Sequence, residues 1–408
     1  MTSPLAAARA EQVWSLLAGA VQPLSVIECA AASASGRTLA EPILATADHP
    51  PFDRAVMDGY ALRARDAAGA GDLPVVGLAR AGATAAGELP PGACVQINTG
   101  GVVPDAADSI AIVEHCERVT PDTIRVTQPV RVGEHIERRG AILHAGDPIA
   151  AAGTRVNAGT LAAIVAAGIA CVRVHPAPRV AILTTGDELI PAGADLAPGR
   201  IFDSNSHVLR VLCEDAGATV ESLTHAPDDP AALHAAVRAA MRNDLLVITG
   251  GMSKGSHDYV PRTLESLGVR WHVTSLDLKP GKPTRLGQAP SGAWVAGLPG
   301  NPVSCTVCFL LFVRPLLAAL QGRAFAPPSR LTGLLAAGLA PNGARPMFHP
   351  ALWQADTAAS LRVQPRPWRG SGDPFALAGA NALIYRAPHA PAAQTGDAVE
   401  FVPFELPG

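Results

Sequence analysis

Leu245-Leu246-Val247-Ile248-Thr249 runs straight into Gly250-Gly251-Met252-Ser253-Lys254-Gly255-Ser256-His257-Asp258, and Tyr259 then opens a helical stretch. A continuous apolar run of this length suits a strand buried on both faces, as in a parallel sheet covered by helices. The glycines that follow let backbone N–H groups approach an anion closely, and the serines and the next helix N-terminus add donors. The Gly-Lys-Ser/Thr ending of a nucleotide P-loop is absent. A simple turn would need neither this length nor this density of donors.

The same strand–loop–helix unit recurs on either side. Strands are expected at 180–183, 219–223 and 294–297, and helices at 206–216, 231–241, 259–266 and 303–320. Alternation of this kind means a mainly parallel sheet with helices on both faces, which binds its ligand at the carboxyl ends of the strands. This α/β domain is expected over 177–324. Residues 1–44 read as helical. Residues 45–149 are rich in Gly, Pro and short apolar runs and read as a β-domain, and 150–176 hold a second helical piece and a short strand. Beyond Pro327-Pro328, residues 329–408 show short alternating runs and read as a small β-barrel or sandwich.

Composition narrows the classes. The chain has 408 residues, 48% hydrophobic and 16% charged, which is material for several buried cores and not for disorder. Net charge is -3 and no Lys/Arg run exceeds two, so no basic stripe for nucleic acid is present. The longest apolar stretch is interrupted by Ser304 and Thr306 and ends at Arg314-Pro315, so no membrane span is expected. A cytoplasmic protein is the expectation. The seven cysteines are scattered, and Cys305-x-x-Cys308 reads as two small core residues one helical turn apart or as a redox pair.

Four further stretches carry polar chemistry. Thr184-Thr185-Gly186-Asp187-Glu188 follows the first strand, and its adjacent carboxylates suit a divalent cation or a solvated turn. Phe202-Asp203-Ser204-Asn205 supplies cap residue types ahead of a helix. Lys279-Pro280-Gly281-Lys282-Pro283 holds two lysines in one short loop, either converging on an oxyanion or standing as an exposed basic turn. Gly297-Leu298-Pro299-Gly300-Asn301-Pro302-Val303-Ser304 makes a rigid turn into a helix, with Pro302 at a first position where no N–H is needed. Asp229 with Pro230 reads as a helix start. Nearer the N-terminus, Asp58-Gly59 by itself is only a hairpin turn, and Asn98-Thr99-Gly100-Gly101 sets a hydroxyl beside two glycines.

Taken in order, Met57-Asp58-Gly59-Tyr60, Thr99-Gly100, Thr185 to Leu189, the Gly250-Gly251 loop ending Asp258-Tyr259, Lys279 to Pro283 and Gly297 to Ser304 resemble the molybdopterin molybdenumtransferase family, whose eukaryotic form is the E-domain of gephyrin. The resemblance runs from about residue 5 to about residue 404. It implies an elongated arm made of 1–44 and 150–176 with the β-domain 45–149 inserted, the α/β domain as the molybdopterin site, and a terminal β-barrel. It implies a homodimer whose site lies between the α/β domain of one copy and the arm of the other. The implied reaction inserts molybdenum from molybdate into adenylylated molybdopterin and releases AMP, with Mg2+ as the cation. Other enzymes of the cofactor pathway are then natural partners.

Residue by residue, the resemblance implies catalytic roles for Asp58, Glu188, Asp228 and Asp258. It implies substrate contacts for Thr99, Gly250, Gly251, Ser253, Lys279, Lys282, Pro299, Pro302, Arg345 and Ser371, and a cation at Glu188 and Asp187. The chain departs from the family pattern at Ala141-Ile142, where an acidic pair is usual, at Ala55-Val56, and at Arg369. Ile142 stands either where the cation site would want a carboxylate or in the core of the β-domain. A non-catalytic cofactor-binding paralogue and a molybdopterin adenylyltransferase are the alternatives, though the latter lacks the arm and the barrel.

Overall fold

The computed structural model describes residues 3–69, 71–83, 88–252, 259–355 and 360–405. Its centre is a six-stranded sheet in the order Thr219–Ala226, Arg179–Thr185, Leu245–Thr249, Trp294–Leu298, Arg285–Gln288, Arg270–Val273. The first four strands are parallel and the last two antiparallel, so the mainly parallel sheet is present. Strand side chains alternate between two cores. Val180 and Ile182 face the helices Asn205–Asp215 and Pro302–Leu320, whereas Ala181 and Leu183 face Pro230–Ala240 and Tyr259–Ser266. The two antiparallel strands were not expected, because Arg-Trp-His-Val and Arg-Leu-Gly-Gln are too short and mixed to show a period.

Helix Pro302–Leu320 is long and apolar enough to cross a membrane, yet 89% of that window is buried inside the fold. It passes through a π-helical turn at Phe309–Val313. Pro315 has no N–H, so the Leu311 carbonyl four residues earlier has no ordinary helical donor. The Trp14 indole N–H donates to that carbonyl instead, at 2.8 Å. Trp14 belongs to helix Ala10–Ala20, whose Val13 and Leu17 are fully buried in the α/β core. Leu5 and Ala8 extend the contact through bridges to Val273 and Leu276. The first segment is therefore divided, with its helix against the α/β unit and its strands in the arm.

The arm builds one small core from two distant segments. Ile27–Ala30 and Thr38–Leu39 pair with Cys171–His175, and Ile43–Leu44 with Pro148–Ala150. Leu39, Val156, Ile164 and Val174 close that core. The chain leaves and re-enters the α/β unit side by side, with His175 Nδ1 2.8 Å from the Leu24 carbonyl. The inserted region carries its own six-stranded sheet. The last region is a closed barrel in the order Leu331–Leu335, Leu361–Pro365, Met347–Ala355, Ala382–Arg386, Ala398–Pro403.

Candidate active site

Strands Leu245–Thr249 and Trp294–Leu298 are parallel neighbours, so the loops after them leave from one edge. A Cβ on Gly300 would sit 3.6 Å from Gly250 Cα. Thr249 Oγ1 donates to the Pro299 carbonyl at 2.9 Å, and Asn205 Nδ2 donates to the Gly300 carbonyl at 2.7 Å. Gly250 has φ of +95°, and a Cβ there would lie 2.3 Å from the Thr185 carbonyl, so no other residue fits. These contacts hold three strand ends together as a floor. Asp203 rather than Asn205 caps the helix, accepting from the Ser206 amide at 3.0 Å and from the Thr184 hydroxyl at 2.9 Å.

Above this floor opens a cleft of about 1020 Å³, whose lining includes Gly250, Gly251, Glu188, Pro299 and Pro302. The Thr185 hydroxyl is buried at its base with no hydrogen-bond partner. A buried polar atom left unpaired is costly, so this hydroxyl has a free donor to offer at the cleft base. The barrel closes one side of the cleft through Gly372, Pro374 and Phe375. Asn301 Nδ2 donates to Ser371 Oγ at 2.9 Å, and the Val303 amide to the Ser371 carbonyl at 3.1 Å. Ser371 is thereby locked to the start of the long helix.

The lysine loop sits between sheet and barrel, and its Pro283 lines the cleft. Lys279 bridges Met347, and the Arg345 guanidinium donates to the Leu278 carbonyl at 3.0 Å. Lys279 and Lys282 are exposed, and among the described residues neither has an acidic partner within 4.0 Å. His349 is held below the ordinary imidazole value by burial first, with the nearby Lys279 charge adding to it. Gly281 packs on Cys308, and Thr284 Oγ1 donates to Cys308 Sγ at 3.1 Å. Cys305 and Cys308 are free, fully buried thiols, both pushed up to about 12 by burial, which suits core packing and not redox exchange.

The carboxylates divide into groups. Asp187 and Glu188 are exposed at the rim, with Asp187 Oδ1 accepting from the Asp228 amide at 3.1 Å. The Glu188 carboxylate curls over Gly186, within 2.3 Å of where a Cβ would stand. Asp229 caps its helix as expected, accepting from the Ala232 amide at 2.7 Å. Asp58 and Thr99 are brought together in the inserted domain, where Asp58 Oδ1 accepts the Thr99 amide at 2.6 Å and its hydroxyl at 2.9 Å. The Thr99 amide, then the hydroxyl, hold Asp58 below the ordinary carboxylate value. Neither lines the cleft of its own chain. Ser253 and Asp258 lie outside the described residues. No cluster of three His, Cys, Asp or Glu occurs among the described residues. Ile142 does not fill the β-domain core: it is 57% exposed on a hollow between inserted domain and arm, because its neighbour Leu143 and the backbone pairing to His49 turn it outward.

Sequence comparison decides the family. The molybdopterin molybdenumtransferase of Haemophilus influenzae is 31% identical over 373 residues, covering 91% of this chain and 92% of that one. The chain belongs to the molybdopterin molybdenumtransferase family. The Nostoc member is 36% identical over 300 residues, 72% of this chain and 69% of its own. Family models agree along the length: the MoeA N-terminal region (domains I and II) matches 5–168, a probable molybdopterin binding domain 181–319, and the MoeA C-terminal region (domain IV) 332–404. The crystal structure of a molybdopterin biosynthesis MoeA protein from Pyrococcus horikoshii superposes with a TM-score of 0.83 at 29% identity, covering 99% of this chain and 100% of that one. A second from the same organism gives 0.78 at 26%. This molybdopterin molybdenumtransferase family member is a transferase of molybdenum cofactor biosynthesis. Within the family frame, Asn205 and Asn301 emerge as organisers of the cleft. Their residue types were visible in the motifs, but their partners come from loops far away in sequence.

Proposed function

We propose that this chain inserts molybdenum from molybdate into adenylylated molybdopterin and releases AMP. The observation that carries the reading is the convergence on one cleft of the glycine floor, the lysine loop and the Ser371 turn of the barrel. Gly250 and Gly251 admit the substrate close to backbone N–H groups, and the unpartnered Thr185 hydroxyl meets a polar atom of it. Lys279, Lys282 and Arg345 balance the charge of phosphate and molybdate oxygens as the phosphoanhydride to AMP is cleaved. Ser371 and Pro302 fix the rim, and Pro299 the turn beside it. Glu188 and Asp187 provide one or two carboxylates, which suits Mg2+ held otherwise by water and substrate phosphates. That ion would neutralise charge developing on the phosphates. Asp228 orients Asp187 through its amide, and Asp258 and Ser253 are assigned to the site on the family resemblance alone.

The reading includes a homodimer. Val56 and Met57, which precede Asp58 in the chain, are exposed at 40% and 41%. Such a surface suits contact with the cleft of a second copy. The protein works in the cytoplasm, with neither nucleic acid nor membrane as partner. Incubation with adenylylated molybdopterin, molybdate and magnesium should release AMP and yield a cofactor that activates an apo-molybdoenzyme. Binding of the substrate without AMP release would instead assign the chain to cofactor carriage.

A further inference from the structure

Phe375 is 82% exposed, more than any other large apolar side chain among the described residues that expose one. It stands on the lip of the cleft. Leu196, Ile201 and Phe202, which also line it, are 62%, 56% and 43% exposed. One exposed apolar side chain needs no explanation, but four around the mouth of one polar-floored cleft form a patch. The Phe375 ring also borders a second hollow of about 570 Å³ with Arg369, so it is open to solvent from more than one direction.

The ring is presented from a firm turn. The Phe375 amide donates to Asp373 Oδ1 at 3.1 Å, and its carbonyl accepts from the Ala378 amide at 3.1 Å. The next residue, Ala376, is 3% exposed in the main core, and Ser371 ties the turn to Asn301. Holding a flat apolar ring in water on a short, anchored turn orders it in advance of a ligand.

We propose that Phe375 is a stacking platform for a fused heteroaromatic ring of the substrate, with the Ile201–Phe202 wall as the opposite apolar face. The inference rests on the proposed function, since adenylylated molybdopterin brings two such rings, the pterin and the adenine. An aromatic face reads a planar π-system whatever its hydrogen-bonding edge, and the polar floor beneath supplies the rest.

The test titrates AMP and the fluorescent parent compound pterin separately into the full-length protein and into Phe375→Ala, Phe375→Leu and Phe375→Trp. Stacking on one base is worth about ten- to a hundredfold in affinity. One of the two ligands should lose that much in Phe375→Ala and in Phe375→Leu, and recover it in Phe375→Trp. Loss for pterin places the pterin on Phe375; loss for AMP places the adenine there. Phe375→Leu keeps apolar bulk without a π-face, so full affinity in that variant overturns stacking even if Phe375→Ala is impaired. Unchanged affinity for both ligands in Phe375→Ala also overturns it, while AMP release by the parent protein leaves the proposed function intact. A parent protein that binds neither ring and releases no AMP sinks the proposed function, and this inference with it.

Discussion

Lys279 and Lys282 are exposed cations with no acidic partner among the described residues, in a loop whose Pro283 reaches the cleft. Replacing either with Ala should weaken binding of adenylylated molybdopterin by about 1–3 kcal/mol, the usual cost of a lost charge-assisted contact. Melting should be unchanged, because neither side chain is packed. Calorimetric titration checks the first statement and a thermal scan the second; unaltered affinity in both variants would remove the lysines from the site. Asp58 makes a pH-dependent prediction. Its folded pKa lies below the ordinary 3.8, so its contribution to stability is present above that value and is lost as pH falls through the folded pKa. Thr99→Val removes the hydroxyl donor but keeps the amide, the larger cause. The Asp58 pKa measured by NMR should therefore rise part of the way towards 3.8, and a pKa that stays put would assign the effect to the amide and the Asn98 side chain. At this scale the sequence showed residue types and not partners. Glycines, prolines and paired lysines announce loops that approach a ligand because their backbone demands are local. The unpartnered Thr185 hydroxyl and the exposed ring of Phe375 depend on what stands around them, which no local pattern records.

Among elements, the loop from Lys279 to Pro283 shows how packing transmits to the site. Gly281 has φ of +127°, and a Cβ would fall 2.4 Å from Cys308 Sγ on the long helix. Gly281→Ala should cost about 1–3 kcal/mol from overpacking alone and should also weaken substrate binding by displacing the two lysines. Combining it with Cys308→Ala should restore part of the melting temperature, since the clash is with the thiol. If the double variant melts no higher than Gly281→Ala, the strain lies in the backbone. Element order was readable because buried parallel strands and their helices leave long, uniform runs: Leu245–Thr249 and Tyr259–Ser266 fall where the pattern puts them. The antiparallel strands Arg270–Val273 and Arg285–Gln288 were not readable, since their pairing is decided by the neighbouring strand and not by their own composition. The π-turn of Phe309–Val313 leaves little mark in the sequence, because only Pro315 signals it and prolines inside helices have several outcomes.

At the scale of the molecule, the proposed homodimer, with its site shared between copies, makes a definite prediction. Asp58→Ala and Lys279→Ala should each release AMP poorly when purified alone, at substrate concentrations that saturate the parent. Mixed and allowed to exchange subunits, they should regain AMP release, because in the proposed homodimer one of the two sites in each hybrid is then intact. A mixture as inactive as its parts would place both residues in one chain's own site. The exposed Ile142 makes another. Ala141→Glu with Ile142→Asp sets both carboxylates in water, so stability should stay within about 0.5 kcal/mol of the parent. If that corner serves the cation, the magnesium concentration for half-maximal AMP release should fall; a clear drop in melting temperature would contradict the outward setting of Ile142. The α/β stretch and the barrel stretch differ in texture along the chain, whereas the pairing of 27–44 with 148–175 leaves no local mark. The seating of Ala10–Ala20 on the α/β unit was not, since an amphipathic helix does not say which core it will join. That seating has a consequence for biosynthesis. The Trp14 indole and its acceptor Leu311 are 297 positions apart, so the ribosome must deliver most of the polypeptide before the helix can dock. Until then its apolar stripe has nowhere to go. The arm and the inserted domain, complete by residue 175, are free to fold during that wait, and the nascent chain must pass through a stage in which its first helix is placed later than two domains made after it.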